Sequence, residues 1–580
     1  MVNRHLVVLG CSATKLDSDG LLPAIARYDG PAYRVLNSYL REVQWPGPLS
    51  VGILSAEHGL IGGLTHIENY DRRMDSRRAF DLRTQCTDVL NTWAKDHSKL
   101  TLFLGKDYLP ALNLDALPAR RSLEIVPGAI GMKLSRLRSL LHGFTHPTMR
   151  RSLPPRSERA LYFLPDWDDH VDADFDFRRD QFSNPNRQER NQKHCIELVQ
   201  PRRMCDGVLI SLAQLQGSKG LLRRFAPTDP ESLAPTPIAD RFGLADDQLA
   251  FGDCGAFSYS SEDEPPISTE QAVSLYQIYG FDLGASVDHI PLQVVITETG
   301  KQRRLSHADR KRRVAITQRN AAEFIAVHRR RRATFEPVGI IQSIDVAGYA
   351  KQVSAYAEMG YQTIAIGGLV PRSDREVAEI ATAVERARAA LPASLRNDLW
   401  IHLFGIYRPK IQPALREARI DSFDSATYFR KAWLRSSQNY LAADGSWYAA
   451  VRVPVTSDVR TLRRLRSSGL SEATLQRREQ AALAALHAYG RRRKSLEDTL
   501  RAVLDYDKLL DRGDGTSAEE LRSTYRRTLM ARPWEHCDCS ICADIGIDTL
   551  IFRGYNRNKR RGAHNTLMLY ERLASGGDDK

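Results

Sequence analysis

Three cysteines crowd into six positions near the C-terminus, Cys537-Asp-Cys539-Ser-Ile-Cys542, and His564 follows 22 residues later. Three thiolates and an imidazole are the donor set of a closed tetrahedral zinc site. With no position left for water, the chemistry they offer is structural. His536 is a second candidate for the fourth ligand, although its adjacency to Cys537 makes the geometry awkward. Such a site would tie the basic segment from Arg553 to Arg561 to the body of the protein. The other five cysteines, Cys11, Cys86, Cys195, Cys205 and Cys254, are scattered along 580 residues. That sparseness argues against a disulfide framework and predicts a reducing, cytoplasmic setting.

A second set of chemical groups stands at the ends of short apolar runs: Asp253, Asp288, Gln342, the pair Gly367-Gly368, and Asp424. Two carboxylates in one closed mouth suit acid–base and nucleophilic work, and leaving both unpaired there would otherwise be costly. Each also has a plainer reading, because a strand-end Asp often caps the next helix and Gly-Gly often makes a turn. No phosphate-binding loop, His-Glu-x-x-His pair or Gly-x-Ser-x-Gly elbow competes with them.

The elements that must position these residues follow a repeated strand–helix rhythm from about 200 to 430. Val208–Ser211, Leu249–Phe251, Ala285–Asp288, Val338–Gln342, Thr363–Ile366, Trp400–Phe404 and Ser422–Asp424 read as strands, with Ala347–Glu358, Arg375–Ala390 and Pro413–Ala418 among the helices. Seven such units predict a (β/α)8 TIM barrel, whose sites form at strand carboxyl ends, so the polar residues above should converge on one mouth.

Residues 1–148 alternate strand-like runs (Leu6–Gly10, Val51–Leu54, Thr101–Leu104, Leu123–Val126) with helix-like ones (Arg78–Trp93, Lys133–Leu141), predicting a small α/β domain. Leu6–Gly10 is shorter than the ~7–15 residues of a signal core and reads as a buried first strand. Cys11, Ser12, Lys15, Ser55, Glu57, His58, Lys106 and Tyr108 gather at strand ends, as ligand pockets do and as ordinary loops also do. This part resembles a bacterial α/β domain family of unassigned activity, through CSATK, YDGPAY, ILSAEHGLI and YDRRM.

A Pro-, Asp- and Arg-rich connector is expected over 149–195. Its clustered aspartates in LYFLPDWDDHVDADFDF read as a solvated surface over packed aromatics, with a divalent-cation site as the alternative. The barrel core is expected over 196–434. A basic helical insertion is expected over 435–530, either contacting phosphates or presenting a solvated face, and a zinc-binding segment over 531–580. The 83 Lys and Arg against 70 Asp and Glu leave a net charge of +13, which favours a polyanionic partner. At 42% hydrophobic and 26% charged residues the chain is not disordered, and nothing approaches the ~20 apolar residues of a membrane span.

From about 200 to 570 the chain resembles the tRNA-guanine transglycosylase family. The shared elements are Asp253-Cys-Gly255-Ala-Phe257, Gln342, Gly367-Gly368-Leu369, Phe423-Asp424 and the Cys-x-Cys-x-x-Cys…His site. Where the family's usual motifs read Asp-Ser-Gly-Gly-Phe-Gln, Gly-Gly-Leu-Ala-Val-Gly and Phe-Asp-Cys-Val-Leu-Pro-Thr-Arg, this chain has Asp253-Cys-Gly-Ala-Phe-Ser, Gly367-Gly-Leu-Val-Pro-Arg372 and Phe423-Asp-Ser-Ala-Thr-Tyr-Phe-Arg430. With the N-terminal extension, these departures resemble the branch of the family that acts on DNA.

The resemblance implies a zinc-containing TIM barrel that exchanges guanine in a polynucleotide for 7-cyano-7-deazaguanine. The polymer is DNA, with tRNA as the alternative, and a zinc-stabilised nucleic-acid-binding protein without catalysis is a second alternative. It further implies Asp424 as the nucleophile at C1′ and Asp253 as the carboxylate serving the base. Asp288, Gln342 and Phe257 would bind that base together with the backbone at Gly367, Gly368 and Leu369. Swapping one glycosidic bond for another needs no nucleotide cofactor, and partner proteins of the same modification system could open the DNA.

Overall fold

In a computed structural model the chain is described over residues 5–17, 21–42, 49–95, 97–117, 122–142, 151–157, 159–166, 169–213, 237–297, 299–434, 436–455, 471–510 and 517–575. The N-terminal unit is a five-stranded sheet of β1 (His5–Gly10), β2 (Leu49–Ser55), β3 (Gly59–Gly62), β4 (Lys99–Phe103) and β5 (Ser122–Ile125), in the order β3-β2-β1-β4-β5. All neighbours are parallel except β2 with β3. Helices Pro31–Glu42 (α1) and Ile130–His142 (α3) contribute to one apolar cluster, and Ser76–Ala94 (α2) to another. The run His5–Gly10 is apolar almost throughout because both of its faces are covered.

The second unit is a closed, all-parallel eight-stranded barrel. Its strands are β6 (Leu161–Pro165), β7 (Gly207–Ser211), β8 (Leu249–Asp253), β9 (Leu283–Ala285), β12 (Glu336–Ile341), β13 (Thr363–Ile366), β14 (Trp400–Leu403) and β15 (Ser422–Asp424). The helix Thr269–Ile278 (α4) joins β8 to β9, and a small antiparallel hairpin, β10 (Val294–Ile296) with β11 (Gln302–Arg304), lies between β9 and the helix His307–Arg330 (α5). Alternation sorts the barrel side chains. Phe163, Leu209, Phe251, Leu283, Ile340 and Ala365 fill the interior, while Tyr162, Val208, Ile210, Ala250, Ile364 and Ile366 join the larger outer core with the helices. Several of the helices start at side-chain caps. Ser306 and Ser373 form capping boxes with Asp309 and Glu376, and Asp345 caps Val346–Met359 (α6).

The barrel corrects the connector expected over 149–195. Leu161–Pro165 pairs in parallel with both Gly207–Ser211 and Ser422–Asp424 and so closes the barrel. Its partners lie far away in sequence, and the flanking charges hide a five-residue strand. The aspartates that follow are only in part the solvated surface expected of them: Asp166, Asp169 and Asp172 are buried, whereas Asp174 is exposed. Asp166 faces His194 at 3.3 Å, and Asp172 accepts from Ser183 Oγ at 2.9 Å.

After β15 come the helices Glu472–Gly490 (α7), Leu496–Asp507 (α8) and Ala518–Ala531 (α9), then the cysteine cluster and a long helix, Gly554–Ala574 (α10). The basic run Arg460–Arg466 lies outside the described residues. Arg491 to Lys494 join α7 to α8 and are exposed. Among the described residues no helix is long and apolar enough to cross a membrane.

Candidate active site and metal centre

The barrel brings Asp253, Asp288, Gln342, Gly367, Gly368 and Asp424 to its carboxyl-end mouth. Asp253 and Asp424 are the last residues of β8 and β15, and Gln342 follows β12 directly. Asp288 comes three residues after β9, beyond the strand end expected for it. The turn that carries it is held from outside: Tyr259 donates its hydroxyl to the Asp288 carbonyl at 3.0 Å, and the His289 amide donates to Thr317 Oγ1 at 2.9 Å.

Gln342 Nε2 donates to Asp288 Oδ2 at 2.7 Å. Both side chains are buried, yet Asp288 Oδ1 and Gln342 Oε1 have no hydrogen-bond partner. A buried acceptor left unmet costs about 1–3 kcal/mol, so two side by side mark a place where a ligand's donors belong.

The glycines after β13 complete the wall. A Cβ at Gly367 would collide with Gln342 Nε2, and one at Gly368 would sit 2.7 Å from Gln342 Oε1. Gly368 also has φ +70°, a conformation that favours glycine. Tyr349 donates to the Gly367 carbonyl at 2.8 Å and fixes the turn. Leu369 turns its side chain into the core, leaving only its backbone to the mouth. Phe257 stands apart from this buried group, 52% exposed in the loop after β8.

Charge is concentrated among the carboxylates. Burial, reinforced by the charges of Asp288 and Asp424, pushes Asp253 up to about 8, against the opposing hydrogen bond from the Gly255 amide at 3.0 Å. Burial likewise raises Asp288 to about 6, opposed by the Gln342 hydrogen bond. A carboxyl group that titrates near neutrality can both give and take a proton at physiological pH.

Asp424 is held differently. Its Oδ1 accepts from the Gly405 amide at 2.8 Å and from His402 Nε2 at 3.2 Å. His402 Nδ1 lies 2.9 Å from Ser422 Oγ, which in turn accepts from Trp400 Nε1 at 2.9 Å. A neutral imidazole satisfies this chain only if Ser422 donates to Nδ1 and Nε2–H donates to the carboxylate. Both bonds to Asp424 go to Oδ1, which leaves Oδ2 for a reacting atom. Sequence reasoning missed His402. Its one signal was a histidine inside the apolar strand WIHL, two residues from Trp400 and so on the same face.

The metal-ligand residues also meet. The ligand atoms of Cys537, Cys539, Cys542 and His564 all lie within 4.8 Å of one another. His564 Nδ1 is 3.7, 3.4 and 3.6 Å from the three sulfurs. Tetrahedral zinc with ordinary bond lengths requires edges of about 3.6 Å. His564 Nε2 lies 2.8 Å from the Leu441 carbonyl, which keeps that nitrogen protonated and Nδ1 turned to the sulfurs. Tyr440 stacks on the imidazole at 4.2 Å and contacts Cys542 Sγ at 3.2 Å. The residues present fit a zinc ion. His536 is not part of the cluster, which among the described residues is the one grouping of ligand-type side chains close enough to hold a metal.

In the N-terminal unit, Tyr28, Ser55 and Tyr70 share hydroxyl hydrogen bonds of 2.6–3.3 Å. Lys15 lies 4.3 Å from the Tyr70 ring centroid, and Cys11 Sγ lies 3.2 Å from Tyr108 Oη. Lys106 is exposed.

No family model matches the chain. A DNA-guanine transglycosylase from Salmonella montevideo is 34% identical over 416 residues, which is 72% of this chain and 97% of that protein.

Proposed function

This chain belongs to the guanine transglycosylase family, a group of glycosyltransferases, and we propose that it exchanges guanine in DNA for 7-cyano-7-deazaguanine through a covalent Asp424–sugar intermediate. The observation that carries this reading is the pair of unmet acceptors, Asp288 Oδ1 and Gln342 Oε1, facing a glycine turn between two further carboxylates. A guanine-like base presents N1–H and an exocyclic amine as donors, which are what those two oxygens lack. The close-packed backbone at Gly368 and Leu369 offers N–H groups to its O6. The name of the Salmonella relative and the charge of +13 support DNA as the polymer.

In the first half of the exchange Asp424 Oδ2 forms a bond to C1′ as the C1′–N9 bond breaks, passing through an oxocarbenium-like state. The bonding electrons leave with guanine, and Asp253 gives the departing base its proton. Gly405 and His402 keep Asp424 in place throughout. In the second half Asp253, now a carboxylate, takes the N9 proton of the incoming 7-deazaguanine. N9 then attacks C1′, and Asp424 departs as a carboxylate. Two displacements retain the configuration at the sugar. A zinc ion held by Cys537, Cys539, Cys542 and His564 supplies cross-linking of the C-terminal part and no chemical step.

The test is nucleoside mass spectrometry of DNA and tRNA from cells that make 7-cyano-7-deazaguanine and express the protein. A deazaguanine deoxynucleoside in the DNA, absent with Asp424→Asn, is the expected result. Modification confined to tRNA would overturn the choice of DNA.

A further inference from the structure

Six residues beyond Asp288 the chain inserts the β10–β11 hairpin at the barrel rim. Its alternation separates two faces. Val295 is turned inward and buried, while Val294 and Ile296 stand outward at 44% and 65% exposure. Val294 pairs with Arg304 and Ile296 with Gln302. The outward face therefore presents two bare aliphatic side chains beside a guanidinium and an amide. Single exposed aliphatics are ordinary on any surface, but two on one face of a short rim hairpin make a shaped apolar projection.

The projection is braced from below. Arg313, 2% exposed, donates to the carbonyls of Ser260, Ile290 and Glu262, and Arg303 donates to the Ser261 carbonyl at 2.9 Å. Arg310 Nε reaches the Pro291 carbonyl at 3.0 Å. These bonds lock the hairpin root to the neighbouring loop after β8. The hairpin's charge is also unbalanced. Arg303 and Arg312 share Asp263, whereas Arg304, Lys301 and Lys311 have no carboxylate within ion-pair distance among the described residues.

From this we infer that the hairpin is a wedge for duplex DNA: Val294 and Ile296 enter the base stack beside the target guanine, and Arg304 holds a flanking phosphate. The inference rests on the reading of DNA as the polymer. A barrel mouth cannot reach C1′ of a stacked, paired nucleotide, so the base must first come out. Rigid apolar side chains that enter a base step, flanked by cations on the backbone, are the means by which proteins unstack a duplex. None of the mouth carboxylates can do this work, because a carboxylate is repelled by the phosphates it would pass.

The experiment compares exchange of one guanine in a duplex and in the corresponding single strand. Wild type, Val294→Ser with Ile296→Ser, Val294→Leu with Ile296→Leu, and Arg304→Gln are assayed. The serine pair should lower duplex exchange at least tenfold and single-strand exchange less than twofold, so that single-strand activity also reports folding. The leucine pair should keep duplex exchange. Arg304→Gln should weaken duplex binding and lower the slope of log affinity against log salt by about one. A 2-aminopurine placed beside the target should brighten with wild type and not with the serine pair, and this readout needs no chemistry. An unchanged duplex-to-single-strand ratio in the serine pair, or no brightening with wild type, overturns the wedge. Wild type that brightens the duplex yet exchanges guanine in neither DNA overturns the reading beneath it instead.

Discussion

The barrel mouth and the C-terminal helix both bury ionisable side chains and treat them in opposite ways. Arg553, at the N-terminal boundary of the helix, meets Asp180 at 2.7 Å and the Val453 carbonyl, and within the helix Arg557 meets Asp548 at 2.7 Å. Arg560 donates to the Asp172 carbonyl at 2.9 Å, and Arg561 to that of Thr549 at 2.8 Å. Every one of these guanidiniums finds its partner within the chain. At the mouth, Asp288 and Gln342 keep unmet oxygens, and Asp253 is pushed toward neutrality by burial and then by the charges of Asp288 and Asp424. Buried charge that the chain completes holds the fold, whereas buried polarity left incomplete is a site awaiting a ligand. It follows that part of the net positive charge, the arginines of this helix, is structural and closed to a polyanion.

The sharpest test of that contrast is Asp424→Asn. The amide can still accept from Gly405 and His402, so fold and zinc content should be unchanged. Exchange should fall by about 10⁴-fold or more, since a covalent route loses its nucleophile. Mass spectrometry of denatured enzyme quenched with DNA should show the sugar adduct in wild type alone. On the other side of the comparison, Cys539→Ser should lower zinc stoichiometry and cost at least ~3 kcal/mol of stability, read by chemical denaturation, because binding energy at a structural site is folding energy. Unchanged zinc content in that variant would refute the ligand assignment.

Asp253→Asn comes next, at about 10²–10³-fold in kcat/KM. Its pH dependence carries the better information. Asp253 must hold a proton to expel guanine, and Asp288 must be ionised to accept from the base. Wild-type activity should therefore rise through about pH 6 and fall above about pH 8. Stability follows the same shift. A carboxyl group with a raised folded pKa favours the folded state below its unfolded value near 4, and that contribution is lost as pH rises through about 8. Thermal melts should show wild type losing more stability than Asp253→Asn between pH 6 and pH 9. Gly368→Ala is expected to act more locally, raising KM about tenfold by pressing on Gln342, with kcat changed less.

How much of this the sequence discloses depends on how local each feature is. Seven barrel strands were legible as short apolar runs, several of them followed by a helix signal within the same stretch of chain. Leu161–Pro165 was not, since what makes it a strand is pairing to residues about 45 and 260 positions away. The cysteines announced their chemistry by spacing alone, but the Leu441 carbonyl that orients His564 belongs to a short strand, Tyr440–Leu441, 123 residues away in sequence. Asp253, Gln342, Gly367 and Asp424 were placed by lying at strand ends. That Gln342 would spend its amide on Asp288 and keep its oxygen unmet depends on a three-residue turn past β9 that periodicity does not describe. The aspartates after β6 misled because burial with a distant His194 or Ser183 leaves no trace in composition.

His402 offers the smallest effect and the finest discrimination between buried groups that hold the fold and those that serve the mouth, because it has the surroundings of the first and a partner among the second. It is fully buried among Phe163, Phe251 and Phe404, with rings 4.8–5.8 Å away, which by itself is the setting of a core residue. Yet its Nε2 points at a mouth carboxylate. If it only fills the core, His402→Gln should lower stability and leave exchange per folded molecule unchanged. If it positions Asp424, the same variant should lower kcat about tenfold with KM little altered, because the nucleophile's orientation is used in the transition state and not in binding the base. Gln can supply an N–H to Oδ1 but cannot also be held by Ser422 in the geometry of an imidazole, so partial retention is expected where His402→Leu loses more. Kinetics of the two variants at matched folded fraction decide between these outcomes, and equal kcat in wild type, Gln and Leu would assign His402 to the core alone.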